Sequence, residues 1–269
     1  MEKIIDSLKM KHPILIQGAM DSEICHLLHS LDKYHEEDLF GFSFFIGTYQ
    51  SYPVIVSKTY QGMTNAAAST MLAIEHYSPA LIINQGICGG HSPLLHRGDI
   101  LLGKEIMNYS NLKIGMTDCS NPLRGCETIG CEVFSPASPA TSAKKATCFY
   151  SHPALLAIAQ NCPHPVATGH IITGKIASAD AWMDRKDLIS LMNKTFGTCG
   201  EDMETASVAQ LCHCFGIPVL SIRMLSNTRV YDEEYDETVA ETLQEFTMKV
   251  VDEIQNHYHQ LSWWFALRL

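Results

Sequence analysis

Apolar residues in this chain gather in short runs separated by polar loops, and strand-like runs alternate with stretches of helical period. Pro13-Ile14-Leu15-Ile16 is a compact apolar run that closes at Gly18 and predicts a strand. Residues 23–31 follow as a helix, with Ile24, Leu27, Leu28 and Leu31 on one face. Residues 41–46 and 54–57 predict a hairpin, and the Ala-rich stretch 64–76 predicts a helix entered through Gln61-Gly62-Met63. Residues 80–84 are continuously apolar, which implies a strand buried on both faces, and they run directly into Gly86-Ile87-Cys88-Gly89-Gly90. Residues 99–106 predict another strand. The stretch from about 110 to 148 is rich in Ser, Pro, Thr and Cys and shows no period, so it is expected to form a long surface excursion.

Pattern resumes with a helix at 152–160, a strand at 170–176 and a helix at 187–193. A strong helix is predicted over 201–215, stopped by Gly216 and Pro218, and a strand over 219–224. The last helix is expected from about 236 to 259, where Val239, Leu243, Phe246, Val250, Ile254, Tyr258 and Leu261 draw one apolar stripe. Strands alternating with helices, with neither an internal repeat nor a linker, predict one α/β domain spanning residues 1–269, with an irregular insertion at about 110–150. The tail Trp263-Trp264-Phe265 is apolar enough to pack on the body or on a second subunit.

Composition narrows the function classes. The 269 residues are 46% hydrophobic and 18% charged, which excludes a disordered tail or linker. Nineteen Lys and Arg stand against 29 Asp and Glu, a net charge of −10, so no overall positive field draws the chain to nucleic acid or to anionic lipid. There is no sustained apolar run of membrane-spanning length and no signal-like N-terminus, so a cytoplasmic protein is expected. The ten cysteines form no CxxC pair. Cys119, Cys126 and Cys131, or Cys212, His213 and Cys214, would offer zinc ligands, but without the usual spacing buried small hydrophobes and loop thiols are the favoured account; no metal and no cofactor are expected.

Polar or glycine residues follow four of the apolar strands, where an α/β sheet opens its binding crevice. They are Gly18-Ala19-Met20-Asp21-Ser22-Glu23, Asn84 to Gly90, Ser178 to Met183, and Arg223-Met224-Leu225-Ser226-Asn227, with Glu201 to Ala206 as a fifth at the start of the strong helix. The motifs GAMDSEI, INQGICGG, RGDILLGKEI, GKIASADAW and EDMETASVAQLCHCFGIPVLSIRMLSN, in this order and spacing, resemble the nucleoside phosphorylase and nucleosidase superfamily. The methylthioadenosine/S-adenosylhomocysteine nucleosidase branch is the nearest likeness. It covers the chain apart from about residues 110–165 and the final tail.

The resemblance implies a three-layer α/β/α sandwich around a mixed, twisted sheet, a small purine nucleoside as partner, and a homodimer. It implies a role for each matching residue. Glu23 matches the carboxylate that activates water, although a first-turn helix glutamate favoured by the dipole would look the same. Glu204 matches the carboxylate that holds the ribose hydroxyls, with Met203 against the sugar or base; a helix cap is the alternative, but Glu201 and Asp202 already supply one. Arg223 stands inside an apolar strand, so it needs a carboxylate partner, expected to be Glu23 across a water, or else it belongs to a structural ion pair. Trp182 sits where the family stacks a ring on the purine, Met183 where backbone meets the base edge, and Met20, Ile87, Cys88, Gly89 and Ser226 fall in the same matched turns. Tyr231 or Tyr235 would close over the ribose.

Two departures bear on the chemistry. The phosphorylases' arginines are replaced by Ser22 and Asn84, which favours water over phosphate as nucleophile. The branch's proton-donating aspartate is Asn227, whose amide donates a hydrogen bond but no proton. An amide suits a 6-oxopurine, whose N7 and O6 both accept, and Ile87 is a larger apolar residue than the branch usually places near the water. Futalosine or aminofutalosine hydrolysis in menaquinone biosynthesis is therefore the first expectation. Methylthioadenosine/S-adenosylhomocysteine nucleosidase, purine nucleoside phosphorylase and a non-catalytic nucleoside-binding relative are the alternatives.

Overall fold

The computed structural model describes residues 12–113, 126–135 and 144–256. The strands are β1 (Ile14–Gly18), β2 (Lys33–Leu39), β3 (Phe42–Tyr49), β4 (Tyr52–Lys58), β5 (Leu81–Gly90), β6 (Ile100–Asn108), β7 (Leu112–Lys113), β8 (Glu127–Thr128), β9 (Cys131–Val133), β10 (Lys144–Ala146), β11 (Phe149–Tyr150), β12 (Ile171–Ser178), β13 (Thr198–Asp202) and β14 (Val219–Asn227). The helices are α1 (Cys25–Ser30), α2 (Met63–Tyr77), α3 (Pro153–Asn161), α4 (Lys186–Phe196), α5 (Thr205–Phe215) and α6 (Val239–Asn256).

Ten strands form one mixed sheet. β1 lies between β4 and β5, parallel to both, and β5 is parallel to β14. β14 also runs antiparallel to β6, and β13 joins β12 in parallel and β5 in antiparallel fashion. The strict alternation of side chains along a strand separates two apolar layers. Ile14, Ile16, Leu81 and Ile83 face one way, into a cluster with Leu27 of α1, Leu155 of α3 and Phe246 of α6. Leu15, Ile55 and Ile82 face the other way and meet Ala66 and Ala73 of α2 and Ala206, Val208 and Cys212 of α5. Helices thus cover both faces of the sheet, the expected three-layer arrangement.

Outside the insertion, two strands were not legible as such. β2, KYHEEDL, is almost wholly exposed and carries no apolar alternation, so it forms through its antiparallel ladder with β3. β13 overturns the predicted helix over 201–215: Glu201 and Asp202 are strand residues and the helix begins at Thr205. The last helix spans Val239–Asn256 instead of 236–259. Residues 257–259 and the Trp263-Trp264-Phe265 tail lie outside the described residues. Within the predicted excursion, β7 pairs with β8 and β9 with β10, while β11 adds to the edge of the main sheet at β6. Among the described residues no helix is long and apolar enough to cross a membrane.

Phe246 is fully buried in the first apolar layer. Phe246→Ala should lower stability by ~3–5 kcal/mol, the usual cost of a large cavity in a close-packed interior, read from the urea midpoint; a loss below ~1 kcal/mol would contradict the placement of α6 as a core helix.

Candidate active site

Where β1 ends, the chain turns back on its own carboxylate. Glu23 closes a short 3-10 turn (Asp21–Glu23). Its Oε2 accepts from the backbone N–H groups of Ala19 at 2.7 Å and Met20 at 3.1 Å, and its Oε1 accepts from that of Ile87 at 2.8 Å. Gly86 makes this approach possible, since a Cβ there would stand 2.5 Å from Glu23 Oε1. Burial pushes the Glu23 carboxyl above its ordinary range, while the Ile87 amide, the Arg223 guanidinium and the Ala19 and Met20 amides pull it back. Such a carboxylate is fixed in place and more basic than one in water.

Arg223, 1% exposed, pairs directly with Asp202, where Glu23 was the expected partner. Its Nε donates to Asp202 Oδ2 at 2.7 Å, Nη1 donates to the carbonyls of Asn84 at 3.0 Å and Ile222 at 2.9 Å, and Nη2 donates to Asn84 Oδ1. The Asp202 carboxylate also accepts from the hydroxyls of Ser178 and Thr205 and from the Thr205 backbone N–H, so it caps α5 as well. Glu201, expected to share that cap, instead turns to the cleft: its Oε1 accepts from Met183 N at 2.8 Å and its Oε2 from the Tyr109 hydroxyl at 3.2 Å. The Met183 backbone N–H is thereby committed to Glu201, where contact with a base edge was expected.

Glu204 sits at the head of α5. Its Oε1 accepts from Gly62 N at 2.9 Å and its Oε2 from Met203 N at 3.3 Å. Gly62 has φ +102°, a left-handed conformation that favours glycine. Burial, with the Asp202 charge adding to it, pushes the Glu204 carboxyl up to about 8, against the pull of Arg223. Ser226 and Asn227 lie in β14, which is longer than the predicted strand. The Ser226 Oγ lies 2.9 Å from Asn227 Oδ1 and 3.2 Å from the Cys88 carbonyl, and Asn227 Nδ2 stands on the cleft side beside Gly89.

These groups line one cleft that is open to solvent. Met20, Glu23, Ile87, Cys88, Gly89, Trp182, Met203, Glu204, Ser226 and Asn227 all border it; Met183 does not, and Arg223 lies beneath it behind Asp202. Trp182 is 60% exposed, and its ring centroid stands 5.4 Å from that of Tyr235, so the two aromatic rings flank the mouth. Tyr231 is elsewhere, stacked on His96 and donating to the Pro93 carbonyl. Glu201, Asp202, Ala19, Gln61 and Ala181 also line the cleft and were not foreseen. A strand-internal arginine beside two consecutive carboxylates was the only sign of the Asp202 pairing. Among the described residues no group of three His, Cys, Asp or Glu is placed to hold a metal ion.

The raised Glu204 value has a thermodynamic consequence. The unfolded chain releases this proton near 4.5 and the folded protein near 8, so the folded state holds more protons in that window. The contribution of Glu204 to stability is complete below the lower value and is lost as pH rises through the upper one. Relative to wild type, Glu204→Gln should therefore gain in Tm as pH is raised from 5 to 9; a pH-independent difference would contradict the burial of this charge.

The chain matches the family described as the phosphorylase superfamily over residues 13–257. The 5'-methylthioadenosine/S-adenosylhomocysteine nucleosidase of Shewanella halifaxensis (strain HAW-EB4) is 31% identical over 222 residues, which are 82% of this chain and 88% of that protein. The crystal structure of the corresponding nucleosidase from Colwellia psychrerythraea 34H in complex with adenine aligns with a TM-score of 0.73 at 24% identity, covering 90% of this chain and 95% of that one. Futalosine hydrolase of Helicobacter pylori strain 26695 aligns with a TM-score of 0.73 at 24% identity, covering 91% of this chain and 99% of that one. At such identities the two structures speak for the fold. The sequence match and the shared fold agree with the motifs: the chain belongs to the phosphorylase superfamily and is an enzyme of its nucleosidase kind, an N-glycosyl hydrolase.

Proposed function

We propose that the enzyme hydrolyses the N-ribosidic bond of a 5'-substituted adenine nucleoside, 5'-methylthioadenosine or S-adenosylhomocysteine, with Glu23 as general base for the attacking water. The observation that carries the proposal is the Glu23 carboxylate itself, held by three backbone N–H groups on the wall of the cleft and made more basic by burial. An ionised carboxylate has about four acceptor positions, so one remains for a water. Glu204 faces the same space and accepts the ribose hydroxyls, Met203 packs beside the sugar, and Trp182 stacks on the base. As the bond breaks, positive charge develops on the sugar, which the nearby carboxylates stabilise, and negative charge moves onto the purine, where the Asn227 NH2 meets it at N7. Glu204, whose carboxyl is pushed up to about 8, fills this part in its ionised form.

Water as nucleophile follows from what is absent at the anion positions. Asn84, in one of the two places where phosphorylases carry arginine, spends its side-chain oxygen on Arg223, and Ser22 carries no charge. The order of substrates expected from sequence is reversed for two reasons. The sequence relative at 31% identity is named for methylthioadenosine and S-adenosylhomocysteine, whereas the likeness to futalosine hydrolase is one of fold. The amide of Asn227 also gives no preference for a 6-oxopurine, because its NH2 can donate to N7, which is an acceptor in either base. Futalosine-type nucleosides remain the second proposal, favoured by the irregular excursion near residues 110–150. A cytoplasmic homodimer is part of the same proposal.

Incubation with 5'-methylthioadenosine, futalosine and inosine, with and without phosphate, tests this by chromatography of the free base. Adenine should be released fastest, at a rate phosphate does not change, and Glu23→Gln should lower kcat by ~10²–10⁴-fold. Phosphate-dependent release would contradict hydrolysis, and faster hypoxanthine release from futalosine would select the second substrate.

A further inference from the structure

Three neighbouring strands carry a row of residues along the wall of the cleft. β14 aligns Asn227 with Gly89 of β5, and β13 aligns Glu201 with Gly89 from the other side. Residues directly opposite one another in a sheet share a face, and Gly89 contributes no side chain to it. A Cβ built at Gly89 would lie 3.6 Å from Glu201 Oε1 and 3.8 Å from Asn227 Nδ2, so the two polar heads flank one gap. All three residues line the cleft.

The two heads are of opposite kind. Asn227 Oδ1 lies toward the Ser226 Oγ, at 2.9 Å, and Nδ2, an obligate donor, stands beside the gap. Glu201 accepts from two donors, Met183 N on Oε1 and the Tyr109 hydroxyl on Oε2. A carboxylate supported in this way acts as an acceptor, and Oε1 still has a lone pair toward the gap.

A donor beside an acceptor matches one edge of one kind of purine. In a 6-aminopurine the acceptor N7 neighbours the amino donor at C6; in a 6-oxopurine N7 neighbours a second acceptor, O6, which would face the carboxylate. We propose that Glu201 is a specificity-determining residue, accepting a hydrogen bond from the 6-amino group while Asn227 Nδ2 donates to N7, so that the cleft selects adenine over hypoxanthine. The inference rests on the purine-nucleoside reading of the cleft.

Calorimetric titration of wild type and Glu201→Leu with the free bases tests it without any turnover. Wild type should bind adenine at least ~10-fold more tightly than hypoxanthine, the usual worth of one hydrogen bond to a charged group, and Glu201→Leu should bring the ratio near one. An equal ratio in both proteins, or a wild-type preference for hypoxanthine, overturns the role of Glu201 even if methylthioadenosine is hydrolysed. Failure of either base to bind wild type overturns the purine reading and this inference with it. If Glu201→Leu does not fold, Tyr109→Phe, which removes the hydroxyl on Oε2, should reduce the ratio severalfold; an unchanged ratio overturns the proposal.

Discussion

The candidate site depends on one buried guanidinium. Arg223 lies within a strand whose every residue is buried, and it binds Asp202 of β13 and both oxygens of Asn84 in β5. A charge this deep is tolerated only when its donors are matched, and removal of one partner from such a pair typically costs ~3–5 kcal/mol. The pairing ties the middles of β5 and β14 to the end of β13, and the same strands carry Ile87, Glu201 and Asn227. Glu23 reaches into the same arrangement through the Ile87 amide. The cleft is therefore built on three strands tied to one cation.

The charge balance around that cation sets the chemistry. Glu23, Glu204 and Asp202 all lie within its field, and Asp202 takes the direct contact. Glu23 and Glu204 are left with the more distant attraction, which burial outweighs, so both carboxyls stand above their ordinary range. Raised carboxyls bind protons more readily than free ones, the property asked of a base that takes a proton from water. One ion pair thus holds the strands together and leaves two basic carboxylates facing the substrate cleft.

The apolar strands were readable because burial on both faces leaves a continuous run: β1, β5 and β14 stand out as ILI, LII and VLSI, and the polar residues after them mark the cleft. The same logic hid β13. TCGED has no apolar run, and its carboxylates resemble the first turn of the helix that follows, yet Glu201 and Asp202 are buried by contacts with Tyr109, Met183 and Arg223 from elsewhere in the chain. Glu23, Glu204 and Trp182 were found by motif and do meet at one cleft. The partner of Arg223 was not found, because it is decided by a residue on another strand, and no spacing along the sequence reports such a choice.

The central claim is that a water held by Glu23 attacks the sugar. Turnover of 5'-methylthioadenosine in ¹⁸O-labelled water containing phosphate, followed by mass spectrometry of the sugar, tests it most directly. The account predicts one ¹⁸O in a free 5-methylthioribose. A sugar released as its 1-phosphate, without label at the anomeric carbon, would contradict it.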